Sequence, residues 1–243
     1  MSITHAPRAA QPPEPRWAEQ PYPDYVAQVN RSIAFAGVEQ SFFTRGKARR
    51  MLDLLRRRGE DPARMRLLDI GCGVGLIHPF IAPAFGETIG ADIAPDALEA
   101  ARRANTNVRY RGYSNGRLPA DDGAFDAAST ICVLHHVPPA QWPTFVADAW
   151  RVLRPGGLFM VFEHNPWNPL TRLAVARCPF DYDAVLLSPR RLARLLREGG
   201  FEHVACEFMF FTPFAHPAIA RIEERLRGCP AGAQYVAVGR KPL

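Results

Sequence analysis

The stretch Leu67-Leu68-Asp69-Ile70-Gly71-Cys72-Gly73-Val74-Gly75 decides the fold. It reads as a short apolar strand ended by three alternating glycines. Glycine reaches positive φ without a Cβ penalty and lets a ligand approach the main chain closely. A helix that opens just after such a turn presents unpaired N–H groups to an anion. The dinucleotide fingerprint is G-x-G-x-x-G. Here the spacing is G-x-G-x-G, with an acid two residues before the first glycine. A pyrophosphate needs the longer turn. Asp92, at the end of the next apolar run, is the expected partner for ribose hydroxyls.

Working outward, strand and helix patterns alternate. Strands are predicted at 66–70, 88–93, 108–110, 125–133, 158–162, 201–211 and 235–239. Helices are predicted from the glycine turn towards Phe85, at 95–103 behind Pro95, at 139–153, and at 189–198 between Ser188 and Gly199-Gly200. Proline at a first helical position, serine at an N-cap and glycine past the end are the expected punctuation. Repeated strand–helix units imply an α/β fold, a doubly wound, mostly parallel sheet with helices on both faces.

The rest of the chain frames that core. With 243 residues, 47% of them hydrophobic and 22% charged, the expectation is one globular domain with added elements. Residues 1–23 carry six prolines and read as a flexible tail. Residues 24–65 read as N-terminal helices, a scaffold or a lid. Their stripe of Phe43, Ala48, Met51, Leu54 and Leu55 would face the core. The remainder, 66–243, is the main domain, with insertions at about 164–187 and 212–233. The net charge of +6 comes almost wholly from scattered arginines, which reads as a solvated surface and not a nucleic-acid track. Cys72, Cys132, Cys178, Cys206 and Cys229 form no C-x-x-C pair, so neither a disulfide framework nor a metal site is expected. Reduced thiols and a cytoplasmic location fit best. The apolar run 67–85 is broken by Asp69, three glycines and two prolines, which argues against a membrane span.

The glycine stretch resembles the S-adenosylmethionine site of the class I methyltransferases, in the broad "methyltransferase domain 11" group beside ubiquinone-biosynthesis-like enzymes. Four further landmarks in the same order carry the resemblance: Asp92-Ile93-Ala94-Pro95-Asp96, Leu118-Pro119-Ala120-Asp121-Asp122, Val133-Leu134-His135-His136-Val137 and Arg151-Val152-Leu153-Arg154-Pro155-Gly156-Gly157. It covers roughly residues 45–241. It implies a Rossmann-like seven-stranded sheet, its last strand antiparallel, with S-adenosyl-L-methionine as cofactor. The backbone of Gly71, Cys72, Gly73 and Gly75 would face the methionine part, and Asp69 would help orient its amino group. Asp92 would take the ribose hydroxyls, Ile93 would pack on the adenine, and Cys132 would pass near the amino-acid end. The family often has an aspartate for the adenine amino group after its third strand. Ser114 stands there in this chain.

Methyl transfer from a sulfonium needs alignment and, for many acceptors, a base. Histidine suits proton removal near neutral pH. His136 falls at the carboxyl end of the fourth strand, where open α/β sheets form their crevice. His135, its neighbour, would point elsewhere. His164 follows the fifth strand in a stiff segment whose Asn165 and Trp167 could form a substrate wall. Asn165-Pro166-Trp167 sits one strand too late for the base-holding motif of nucleic-acid amino-methylases, so a nucleic-acid base is not the expected acceptor. Phe208, Phe210, Phe211 and Phe214 read either as core or as an apolar mouth for a lipid-like acceptor. A helix with Ile219, Ile222 and Leu226 and arginines at 221, 225 and 227 leaves contact with a membrane surface open. The expected activity is S-adenosylmethionine-dependent methyl transfer to oxygen or carbon of a small-molecule or lipid-linked acceptor. An NAD-dependent oxidoreductase and a non-catalytic scaffold of the same fold remain as alternatives.

Overall fold

The computed structural model describes residues 25–114, 116–213 and 217–243. The proposed tail at 1–23 and Phe214 lie outside the described residues. The chain opens with helices α1 (Tyr25–Ile33) and α2 (Gln40–Arg57), then alternates β1 (Arg66–Ile70), α3 (His78–Ile81), β2 (Glu87–Asp92), α4 (Pro95–Ala104) and β3 (Arg109–Gly112). It continues through β4 (Phe125–Ile131), α5 (Trp142–Val152), β5 (Leu153–His164), α6 (Pro169–Arg177), α7 (Pro189–Glu198), β6 (Glu202–Met209), α8 (Pro217–Leu226) and β7 (Gln234–Arg240).

One seven-stranded sheet runs β3-β2-β1-β4-β5-β7-β6. β1 to β5 pair in parallel, and β7 runs antiparallel between β5 and β6. The chain leaves β1 towards β2 and β3 and returns to its other side with β4. That reversal opens a crevice at the carboxyl ends of β1 and β4.

Strands buried on both faces read as near-continuous apolar runs, and the two-residue period then assigns each side chain a layer. Leu68, Ile70, Phe159 and Val161 pack with Trp142, Val146, Leu192 and Leu196 of α5 and α7. Leu67, Met160 and Phe162 pack on the opposite face with Met51, Leu54 and Leu55 of α2. Burying each such side chain contributes about 1.5–3 kcal/mol, so α2 is part of the core. Its outer edge is fixed as well: Glu207 of β6 takes both Arg57 amino groups, at 2.9 and 2.7 Å, and Arg50 at 3.2 Å.

Local chemistry explains where the elements depart from expectation. The helix after the glycine turn stops at Ile81, because Pro83 lacks an N–H donor and the chain tightens into a 3₁₀ turn at Ala82–Ala84. β4 ends at Ile131 and not at Val133, because Cys132 has φ 57°. β5 begins earlier, at Leu153, where a bulge lets Phe125 pair with Leu153 and Ala127 with Leu158. Phe208 and Phe210 are buried in the two core layers, Phe210 edge-on to Phe43 with ring centroids 4.9 Å apart. They belong to the core and not to an apolar mouth.

Candidate active site

Gly71, Gly73 and Gly75 all have positive φ, at 73°, 52° and 71°. A Cβ on Gly71 would stand 2.5 Å from a Val133 methyl, and one on Gly75 would stand 2.6 Å from the Tyr110 hydroxyl. The turn is therefore built for glycine twice over, by conformation and by space. The N–H groups of Gly71 and Cys72 both donate to the Ala91 carbonyl, at 2.8 and 3.1 Å. That anchor brings the turn against the end of β2, where Gly73 N–H donates to Asp92 Oδ2 at 2.7 Å and Ala94 N–H to Oδ1 at 2.9 Å. Burial raises the Asp92 pKa, against the backbone donors of Ala94 and Gly73 that lower it.

Around this turn the other expected residues take distinct places. Ile93 is 43% exposed beside Asp92 and offers an apolar face at the carboxyl edge. Ser114 pairs with Arg117 just beyond β3 and lines an open hollow with Tyr113 and Leu118. The Cys72 thiol packs against the cluster that holds Tyr110 and reaches the Gly73 carbonyl at 3.7 Å, and burial pushes its pKa up. Asp69 lies beneath the glycines. Its Oδ1 accepts from Ser129 Oγ at 2.7 Å, and its Oδ2 meets His78 Nε2 at 3.1 Å. His78 Nδ1 in turn meets the Tyr110 hydroxyl at 2.6 Å. Sequence reasoning gave His78 no role. Its place at the first residue of α3, nine positions after Asp69, was the signal that could have found it.

A second set of side chains gathers across the crevice, at the ends of β4 and β5. His135 and His136 lie together in a 3₁₀ turn, Leu134–His136, with ring centroids 4.2 Å apart. This corrects the expectation that His135 points elsewhere. Neighbours alternate on a strand, but this turn is no longer strand. His135 Nδ1 meets Glu163 Oε2 at 2.6 Å, and Leu134 N–H donates to Glu163 Oε1 at 2.9 Å. Burial opposes charge on both partners. Their mutual attraction outweighs it, raising His135 well above the usual imidazole range and lowering Glu163. His136 goes the other way, to about 4, through burial and the adjacent His135 cation.

Asp181, just after α6, faces both rings. Its Oδ1 is 3.6 Å from His135 Nε2 and 3.5 Å from His136 Nε2. Burial would raise its pKa, but the three nearby histidines hold it at about 2. His164 stands with its ring centroid 5.1 Å from that of His135, and its Nδ1 is 3.4 Å from Gln234 Nε2. Lys47, buried on α2, points its ammonium at the Cys132 sulfur from 3.4 Å. Burial disfavours the thiolate, yet Lys47 and His164 together bring Cys132 down to about 7. Glu163, Asp181 and Lys47 carried no motif and were missed.

The two expected wall residues part company. Asn165 is fully buried and donates both amide hydrogens to the carbonyls of Pro230 and Gly232, at 2.8 and 2.7 Å. Its Oδ1 accepts from Trp167 N–H at 3.1 Å. Asn165 thus ties its loop to the β6–β7 connection and has no donor left for a substrate. Trp167 is 45% exposed, stacks on Phe208 at 6.3 Å and carries Arg190 over its ring.

Comparison with known proteins fixes the family. A family model described as a methyltransferase domain matches residues 68–161. An uncharacterized methyltransferase of a Synechocystis species is 35% identical over 143 residues, covering 56% of this chain and 66% of that protein, just under two thirds of its length. The ubiquinone biosynthesis O-methyltransferase of Xanthomonas axonopodis pv. citri is 30% identical over 199 residues, covering 75% of this chain and 78% of that protein. The chain belongs to the class I S-adenosylmethionine-dependent methyltransferases. A crystal structure of such a methyltransferase from Archaeoglobus fulgidus shares the fold, with a TM-score of 0.59, 18% identity and coverage of 80% of this chain and 94% of that one.

The methyltransferase cofactor is S-adenosyl-L-methionine, and the residues present fit it. The Gly71–Gly75 turn keeps its main chain bare at Gly71, Gly73 and Gly75, so a ligand can come close to the backbone. Each Asp92 oxygen accepts one backbone N–H and has a lone pair left for a hydroxyl. The nicotinamide alternative falls away with the family assignment. Among the described residues, no helix of this methyltransferase is long and apolar enough to cross a membrane.

Proposed function

We propose that the chain transfers a methyl group to an oxygen, or an activated carbon, of a small-molecule or lipid-linked acceptor in the cytoplasm. The convergence of His135, His136, His164, Glu163 and Asp181 beside the glycine cradle carries this reading. Gly71 packs against Val133, so the cradle and the histidine turn are in direct contact. When bound, S-adenosylmethionine supplies an electrophilic methyl on a sulfonium, and the protein is left to align the acceptor and manage one proton.

His136 is the candidate base. Held at about 4, its imidazole is neutral at physiological pH and can accept the hydrogen bond, then the proton, of an acceptor hydroxyl. So weak a base favours an acidic hydroxyl, phenolic or enolic, over an aliphatic alcohol. His135, charged and clamped by Glu163, provides the positive side of the pocket, where a developing oxyanion is stabilised. Trp167 offers an exposed ring for an acceptor's apolar part. The lipid-linked branch draws on α8, which exposes Ile222 and Leu226 next to Arg221 and Arg225.

The test is methyl incorporation from labelled S-adenosylmethionine into a fractionated metabolite extract. Label should enter a phenolic or enolic compound in the aqueous or lipid fraction, and His136→Gln should cut the rate roughly 10²–10⁴-fold. Label confined to nucleic acid would overturn the acceptor class. Equal rates would remove His136 as base. Failure to bind S-adenosylmethionine would favour a non-catalytic scaffold.

A further inference from the structure

We propose that His135, His136 and Asp181 form a mononuclear site for a borderline divalent cation of the zinc type, open on the acceptor side. His135 Nε2 and His136 Nε2 stand 3.6 and 3.5 Å from the same Asp181 oxygen, and the three ligand atoms all lie within 4.8 Å of one another. Those separations are long for N–H···O hydrogen bonds, which cluster near 2.9–3.0 Å. They match the edge of a tetrahedron, which is about 3.4 Å when metal–ligand bonds are about 2.0–2.1 Å. Two imidazole nitrogens and one carboxylate oxygen suit zinc and its first-row neighbours better than magnesium or calcium, which prefer all-oxygen shells.

The surroundings have the form of an outer shell. A histidine that binds metal through one nitrogen usually gives the other N–H to a carboxylate, which fixes its tautomer and orientation. Glu163 Oε2 holds His135 Nδ1 at 2.6 Å, which turns Nε2 towards Asp181. Asp183 Oδ1 lies 3.9 Å from His136 Nδ1, a charged neighbour beyond hydrogen-bond distance. Glu163 is itself fixed by Leu134 N–H. Three protein ligands leave a fourth position open, the arrangement of catalytic and not structural zinc. Its role, resting on the methyl-transfer reading, is to take the acceptor oxygen and favour its anion. With the metal bound, both rings ligate as neutral imidazoles, the cation takes over the positive charge and His136 no longer acts as base, so the acceptor's proton leaves to solvent.

The test uses full-length protein stripped with a chelator and titrated with Zn²⁺ against a chromophoric chelator, with Co²⁺ absorption as a probe of the ligand field. Wild type should take up one equivalent and give visible Co²⁺ bands of a low-symmetry nitrogen and oxygen site. Glu163→Gln should weaken affinity roughly 10–100-fold. Asp181→Asn, which removes a ligand at the edge of the cluster, should weaken it more. Melting curves of the metal-free variants would show that each is folded. A wild type that takes up no Zn²⁺ would overturn the site and leave an ion-pair cluster, as would an Asp181→Asn protein with unchanged affinity and Co²⁺ spectrum. S-adenosylmethionine binding measured in parallel separates the two readings: cofactor binding without zinc removes only the metal, and zinc without cofactor binding removes only the cradle.

Discussion

The two walls of the crevice are built on opposite plans. The proposed cofactor wall comes from one continuous piece of chain, Asp69 to Ile93, shaped by positive-φ glycines whose N–H groups tie the turn to Ala91 and to the buried Asp92. The proposed acceptor wall is assembled from Lys47, Cys132 to His136, Glu163-His164 and Asp181, and gathers side-chain charge. A site made of backbone leaves a contiguous pattern, because only glycine tolerates the turn and its spacing is set by the ligand. A site made of converging side chains leaves none. The segments meet only after the sheet has formed, and each residue by itself looks like an ordinary core or surface position.

Breaking that comparison begins with its most charged point. Glu163→Ala would leave the buried His135 with Asp181 alone as an acidic partner and should destabilise the fold by ~3–5 kcal/mol, as chemical denaturation would show. A loss below 1 kcal/mol would mean that the pair is not an ion pair. On the cofactor wall, Gly71→Ala should lower stability by about 1–2 kcal/mol for its positive φ, with more for the Val133 contact. A matched loss of S-adenosylmethionine affinity should follow, and unchanged affinity would show that the turn does not form the cradle.

The smallest effect sharpens the acceptor wall. Cys132 has a thiol at about 7 where Cys178 and Cys206 are raised to about 11. For an acid with a depressed folded pKa, the thiolate is present above that value and is lost as pH falls through it. Alkylation of Cys132, followed by peptide mass spectrometry, should therefore show a midpoint near pH 7. Lys47→Met should move that midpoint upward. A midpoint at the ordinary thiol value in both proteins would remove Lys47 from the site.

The same contrast explains what could be read in the sequence. The sheet was legible because its parallel strands are buried on both faces and leave apolar runs between glycine and proline stops. β1 and α7 follow that reading to the residue. The glycine spacing and Asp92 marked a turn and an acid that the structure brings together at 2.7 Å. The histidine cluster was half legible. His136 and His164 stood out as histidines near strand ends. His135 was misjudged because strand alternation was carried past Ile131 into a turn that Cys132 had already begun. Asn165 looked like a recognition residue, since the sequence cannot show that its amide is used up by Pro230 and Gly232. Lys47 was hidden on a helix that the hydrophobic stripe marked as scaffold. It shares the buried face of α2 and points towards β4.

The central claim is that binding and chemistry are divided between the two walls, and calorimetry with S-adenosylmethionine on three proteins tests it most directly. Wild type should bind. Asp92→Ala should lose roughly 10-fold or more, the equivalent of at least one charge-assisted hydrogen bond at about 1.5–3 kcal/mol. His136→Gln should bind within a factor of about three of wild type, since less than ~1 kcal/mol is then at stake. Equal affinities for wild type and Asp92→Ala, or a His136→Gln protein as impaired as Asp92→Ala, would contradict that division.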